Sequence, residues 1–226
     1  MNWNNFDNIS SLEDSLLSSI ERDLGIETKT SDQVLVLLSG GLTPLSLYKR
    51  FKEITSVDWS KVKFGLVDER WVSIDSNESN FYNISKALGK DIISKATLTS
   101  LVYDLNNEEI NLSEAKSENL SFLNQKAIVL LGMGLGGNIA SLFPKTSQTD
   151  DALSQIHPDI SLNLSHSNPE KRITHNLKSI LNTKKIVLFV QGLDKKKVLK
   201  DAKKELLPIS YILNTFSTQV DVFWTK

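Results

Sequence analysis

The tightest constraint on this chain is a set of short segments that are apolar at every position. Val34–Leu38 and Ile186–Val190 are each five residues long. A strand covered on one face alternates apolar and polar residues, whereas a run that is apolar throughout must be covered on both. Five residues are far too few to cross a bilayer, which takes about 20. Such segments belong to a parallel sheet between helices, and the intervening stretches agree. Residues 10–24 place Leu12, Leu16, Leu17, Ile20 and Leu24 on one helical face, with Ser10 or Ser11 as N-cap and Gly25 as the stop. After the strand at 33–38, Thr43 reads as an N-cap and Pro44 as the first residue of a helix to about residue 54.

The pattern then repeats. Strands are expected over 63–67, 97–102, 126–131, 185–190 and 219–224, and helices near 79–88, 112–123 and 195–205. Residues 160–164 alternate and read as an edge strand. The expected architecture is α/β, a mostly parallel sheet with helices on both faces, in one domain over residues 1–226. The lysine-rich run at 195–204 contains Val198, Leu199 and Ala202, and reads as an amphipathic surface helix.

Composition removes several classes of function. Twenty-six Lys and Arg against 27 Asp and Glu leave a net charge of −1, without the basic excess of a nucleic-acid binder. Trp3, Trp59, Trp71 and Trp224 are not interleaved with basic residues and read as packing groups. The absence of cysteine excludes a disulfide scaffold, a thiolate metal site and a Cys nucleophile, and fits a reducing cytoplasm. The N-terminus has neither the basic start nor the apolar core of a secretory signal. Neither nucleic acid nor membrane is an expected partner.

In open α/β sheets, ligands bind at the carboxyl ends of the strands. Four such ends stand out here. Ser39-Gly40-Gly41-Leu42-Thr43-Pro44 reads as an anion site, with glycine N–H groups, a helix start and the Thr43 hydroxyl, or as a tight strand-to-helix turn. Asp68-Glu69-Arg70-Trp71 reads as a carboxylate base beside an anion-binding guanidinium, or as a surface ion pair. Gly132-Met133-Gly134-Leu135-Gly136-Gly137-Asn138 carries four glycines in six positions, which implies positive φ or close ligand approach. Arg172 and Lys195 lie near two later strand ends and read as phosphate-neutralising cations, or as solvated side chains.

Taken in order, these segments resemble the 6-phosphogluconolactonases. The resemblance rests on S-G-G-x-T-P, D-E-R-x-V with Ser79-Asn80 downstream, G-M-G-x-x-G-x-x-A-S-L-F-P, and R-I-T followed by G-x-x-K. It implies a Rossmann-like fold and hydrolysis of 6-phosphoglucono-δ-lactone in the pentose phosphate pathway, with neither metal nor organic cofactor. The expected partner is a small phosphorylated sugar lactone, and the expected state a monomer or homodimer. The related glucosamine-6-phosphate deaminases and isomerases share part of the pattern, but Ser141-Leu142-Phe143-Pro144 looks like the lactonases.

One departure bears on mechanism. The family's glycine loop reads G-x-G-x-D-G-H, and the last three positions here are Gly136, Gly137 and Asn138. The resemblance assigns the histidine the role of taking a proton from water. Asn138 has no such basicity, and loss of a general base costs about 10²–10⁴-fold in rate. Three outcomes are open: another base, a slow but adequate enzyme, or a sugar-phosphate-binding homologue without catalysis. Asp68 is the first alternative base and Glu69 the second. His157 precedes Pro158 and reads as a loop residue, His166 lies in a polar serine-rich stretch, and each histidine reads first as a surface or structural residue; His175, after Arg172-Ile173-Thr174, is the one worth testing as a substitute base. Gly40, Gly41, Thr43, Arg70, Arg172 and Lys195 are the expected substrate-binding residues, and Asn138 is expected to contact substrate.

Overall fold

The computed structural model describes residues 1–215 and 218–226. Among these, the strands are β1 (Asn2–Phe6), β2 (Val34–Leu38), β3 (Val62–Leu66), β4 (Asp68–Arg70), β5 (Thr97–Leu98), β6 (Lys126–Leu131), β7 (Ile160–Leu164), β8 (Lys171–His175), β9 (Thr183–Gln191) and β10 (Gln219–Thr225). The helices are α1 (Ile9–Thr30), α2 (Leu42–Lys49), α3 (Asn80–Ile93), α4 (Glu108–Glu118), α5 (Ser147–Ser154), α6 (Leu177–Leu181), α7 (Leu193–Asp201) and α8 (Pro208–Leu213). The main sheet has the order β1-β10-β9-β6-β2-β3-β5, and its neighbouring strands are parallel. A separate antiparallel sheet has the order β4-β8-β7.

Strand alternation explains why the central strands are apolar at every position. Val34, Val36 and Leu38 of β2 and Ile128 and Leu130 of β6 pack with the leucines of α1. The alternate residues Leu35, Leu37, Val129 and Leu131 pack with Ile180 of α6, Leu199 of α7, and Ile209 and Ile212 of α8. Two cores therefore lie on the two faces of one sheet, as the sequence pattern requires.

Several elements differ from their sequence-based expectation. Helix α1 continues through Gly25 to Thr30, because Gly25 serves close packing rather than termination: a Cβ there would lie 3.2 Å from Ser56 Oγ. Its cap is Asn8, which accepts from the Ser11 amide, rather than Ser10 or Ser11. Helix α2 begins at Leu42 with Gly41 in the cap position, so Thr43 lies inside the first turn and its hydroxyl is not used as a cap. The strand expected over 97–102 is limited to Thr97–Leu98.

The topology also places the site. Strand β3 lies on one side of β2 and β6 on the other, so the loops leaving β2 and β6 diverge and open a crevice above the sheet. The small sheet is tied to this rim: the Val67 amide donates to Leu38 O and the His175 amide to Val67 O, both at 3.0 Å.

Candidate active site

Each wall of the crevice follows from local sequence. At the end of β2, Gly41 adopts φ 93°, a left-handed geometry that favours glycine, and turns the chain into α2. Gly40 is needed for a different reason. A Cβ there would lie 1.9 Å from Asn80 Oδ1, so the β2–α2 turn can pass Asn80 only without a side chain. Gly134 plays the same part in the β6 loop, where a Cβ would lie 2.1 Å from Asn138 Oδ1.

These turns enclose a cavity of about 270 Å³ lined by Gly40, Gly41, Thr43, Asp68, Arg70, Asn138 and Lys195, among others. Seven of the residues expected from sequence thus converge on one space. Arg172 does not line it. It borders a second cavity of about 260 Å³, which shares Gly41, Leu42 and Arg70 with the first. Gly41, Leu42 and Arg70 border both spaces, and Arg172 and Lys195 line different ones.

Arg70 and Arg172 face one another as a cross-strand pair of β4 and β8. Arg70 is fixed: its Nη1 donates to Glu78 O and Asn80 Oδ1, each at 2.8 Å. Arg172 is only 6% exposed, and its Nη1 is buried without a hydrogen-bond partner among the described residues. Burial, and then the like charge of Arg70, disfavour its cationic form. Burial disfavours the charge of Lys195 in the same sense. Crowded cations with unfilled donors favour an anionic ligand.

The carboxylates divide sharply. Asp68 lines the cavity, and its only side-chain hydrogen bond among the described residues comes from Ser141 Oγ to Oδ2 at 2.5 Å. Burial raises its pKa, opposed by the Ser141 hydrogen bond and the positive charges of Arg70 and Arg172. Glu69 is 1% exposed and points away from the cavity. It accepts from the amides of Arg70, Asn80 and Phe81, each at 2.7 Å, and from Ser79 Oγ at 2.9 Å. Burial also raises its pKa, against these four bonds. Glu69 therefore anchors the start of α3, and the structure does not bring it to the cavity as the second base expected from sequence.

His175 is likewise withheld. It is fully buried, with Nδ1 2.7 Å from Ser179 Oγ, and burial together with nearby Lys126 lowers its pKa from 6.5 to about 3. Asn138 lines the cavity, and its side chain makes no hydrogen bond among the described residues. Two further site residues stand in the sequence motifs without an individual role there. Asn80 joins the motif together, bonding Arg70 and donating to Asp68 O at 2.8 Å; its signal was the Ser79-Asn80 pair downstream of D-E-R. Ser39 contributes a buried hydroxyl without a partner to the cavity wall, and only its place before two glycines marked it.

Residues 7–224 match the family described as glucosamine-6-phosphate isomerases/6-phosphogluconolactonase. The chain belongs to that family. A 6-phosphogluconolactonase of Helicobacter pylori J99 is 29% identical over 98% of this chain and 96% of its own length. One of Rhizobium meliloti is 27% identical over 99% and 98%. The crystal structure of a 6-phosphogluconolactonase from Shewanella baltica superposes with a TM-score of 0.92 at 30% identity, covering 100% of this chain and 98% of that one. The mostly parallel, Rossmann-like α/β architecture expected from sequence is therefore the architecture of this family. Among the described residues, no helix is long and apolar enough to cross a membrane, and no group of three or more His, Cys, Asp or Glu side chains is placed to hold a metal ion.

Proposed function

We propose that this chain hydrolyses 6-phosphoglucono-δ-lactone to 6-phosphogluconate, as a cytoplasmic enzyme of the pentose phosphate pathway. The observation that carries this reading is Asp68 facing Arg70 and Lys195 across the first cavity, with Arg172 and Glu78 on the adjoining one. The phosphate sits where the cavities meet. There the Gly41 turn, the start of α2 and Arg70 receive it, with Arg172 on one side and Thr43 and Lys195 on the other. Gly40 lets the turn approach. The dianion relieves the repulsion between Arg70 and Arg172 and partners the orphaned Nη1.

Asp68 is the base. Its Oδ1 accepts a proton from water as the water oxygen attacks the lactone carbonyl carbon. The carbonyl π electrons move to oxygen, and the Asn138 amide lies on the wall where it can donate to that oxyanion. The tetrahedral species then collapses, the bond to the ring oxygen breaks, and Asp68 returns its proton to the departing hydroxyl. Atoms balance as water plus lactone to hydroxy acid, and the acid ionises in solution. Asn138 cannot replace the family's histidine as a base, but it can hold substrate and stabilise developing charge.

The test is hydrolysis of the lactone by purified protein, with the spontaneous rate subtracted. Acceleration for the phosphorylated lactone, and far less for glucono-δ-lactone, supports the reading. Tight binding of 6-phosphogluconate without any acceleration would instead make the chain a binding homologue, the reading that Asn138 by itself favours.

A further inference from the structure

Ser141 is fully buried, yet its hydroxyl reaches the one carboxylate that opens on the cavity. It follows Ala140, a non-glycine residue at φ 48°. That left-handed geometry costs roughly 1–2 kcal/mol for an L-residue and persists only where the surroundings impose it. The surroundings here are Ile139 and Leu142, both 0% exposed and joined by a bridge in which the Leu142 amide donates to Ile139 O at 2.9 Å. The turn thus aims Ser141 at the small sheet. Its amide donates to Thr174 Oγ1 at 3.4 Å and its hydroxyl to Asp68 Oδ2 at 2.5 Å. Asp68 and Thr174 are themselves a cross-strand pair of β4 and β8. One serine therefore grips both members of that pair.

We propose that Ser141 is a positioning residue for hydrolysis: by occupying Oδ2 it fixes the Asp68 carboxylate and leaves Oδ1 as the single oxygen available to the attacking water. This deepens the proposed function and rests on Asp68 being the base. The hydroxyl has a second effect. A hydrogen bond donated to a carboxylate favours its ionised form, so Ser141 opposes the burial that would keep Asp68 protonated. Without the hydroxyl, the carboxyl group is free to rotate about its Cβ–Cγ bond and holds its proton to higher pH.

The experiment is the pH dependence of kcat and kcat/KM for wild type, S141A, S141C and D68N, with spontaneous hydrolysis subtracted and folding checked by thermal melting. S141A is expected to lose about tenfold in kcat, the scale of one charge-assisted hydrogen bond, with KM within about twofold. The acid limb of its kcat/KM profile moves to higher pH. S141C keeps the side-chain volume with a weaker donor and falls between the two. If S141A does not fold, S141C decides. A folded serine variant with the wild-type kcat and acid limb, alongside inactive D68N, overturns the role of Ser141 alone. D68N with the wild-type rate and acid limb overturns the assignment of Asp68 as base and this inference with it.

Discussion

Asp68 and Glu69 are adjacent in the chain, carry the same functional group, and sit on opposite faces of β4. Glu69 has four hydrogen bonds from α3, β4 and Ser79, and lines neither of the two cavities. Asp68 has one, from Ser141, and opens on the crevice. Both are pushed up in pKa by burial, so perturbation alone does not tell base from anchor. Satisfaction does. A carboxylate whose lone pairs are filled by backbone amides has no oxygen left for water, whereas a carboxylate with a free oxygen at a cavity wall does. Strand alternation, with successive side chains on opposite faces, is what separates the two roles.

The comparison breaks most directly at Asp68. D68N keeps the shape and removes the base, and kcat/KM should fall about 10²–10⁴-fold. The wild-type profile should rise with pH along an acid limb above the usual carboxylate range, and D68N should lose that limb. Stability should move the other way. Because burial raises the folded-state pKa of Asp68, the unfolded state ionises first as pH rises, and the ionised group then disfavours folding. Removing the charge should therefore raise Tm near neutral pH. A D68N enzyme that is both slow and more stable marks a functional group; one that is slow and less stable marks a structural one.

The double substitution G136D/N138H restores the family's D-G-H. A Cβ at Gly136 would meet only ordinary contacts, 3.8 Å to Asn138 Oδ1 and 4.0 Å to Pro144 Cγ, so the loop has room for Asp. With a second base beside Asp68, turnover should rise about 10–100-fold, and the acid limb should move toward the ordinary imidazole range near 6.5. No gain would mean that Asp68 already does all that a base can do here.

At Glu69 the expected loss is in stability. E69Q replaces one acceptor oxygen by an NH₂ group that faces backbone amides. Leaving buried donors unsatisfied costs about 1–3 kcal/mol, which should lower Tm by roughly 2–12 °C. The rate of the folded fraction, read at saturating substrate well below the new Tm, should stay within about threefold, in contrast to D68N.

How far this contrast was legible beforehand depends on what each residue faces. The central strands β2, β6 and β9 announced themselves, because burial on two faces leaves no polar positions. Strand β1 did not. Its sequence, Asn-Trp-Asn-Asn-Phe, is polar because it lies at the sheet edge, and its partner β10 is more than 200 residues away. Strand β8, Lys-Arg-Ile-Thr-His, was hidden because Arg172 and Thr174 face the polar site while Ile173 is buried on the other side. The glycine turns and Asp68 were readable as a constellation at strand ends. The split between Asp68 and Glu69, and the displacement of Arg172 into the adjoining cavity, were not, since both depend on the antiparallel sheet that no local pattern revealed. Thr43 shows the converse: the helix begins at Leu42, two residues before the start that its apparent cap signal implied, which leaves its hydroxyl free of capping on a residue that lines the cavity.

The smallest effect on rate is expected at His175, buried one strand over with Nδ1 at Ser179 and Nε2 without a partner among the described residues. Thr174 faces Ser141, and His175 faces Ser179 in the interior. Its pKa of about 3, lowered from 6.5 by burial and by the positive charge of Lys126, keeps the ring neutral throughout the working range. A neutral ring could accept a proton in principle, but this one is fully buried and does not line the cavity. H175N retains a group that can bond Ser179 and should leave kcat/KM within about twofold. The sign of its stability effect follows from the depressed pKa. As pH falls below 6.5 the unfolded histidine gains a proton that the folded one refuses until about 3, so wild-type stability declines across that window. In H175N that contribution is absent, and the decline measured by denaturant unfolding should be shallower, with remaining carboxylates supplying the rest. A hundredfold loss of rate in a folded H175N protein would move the base from the cavity wall to the interior, and the rule that an unsatisfied oxygen marks the working group would fail in this fold.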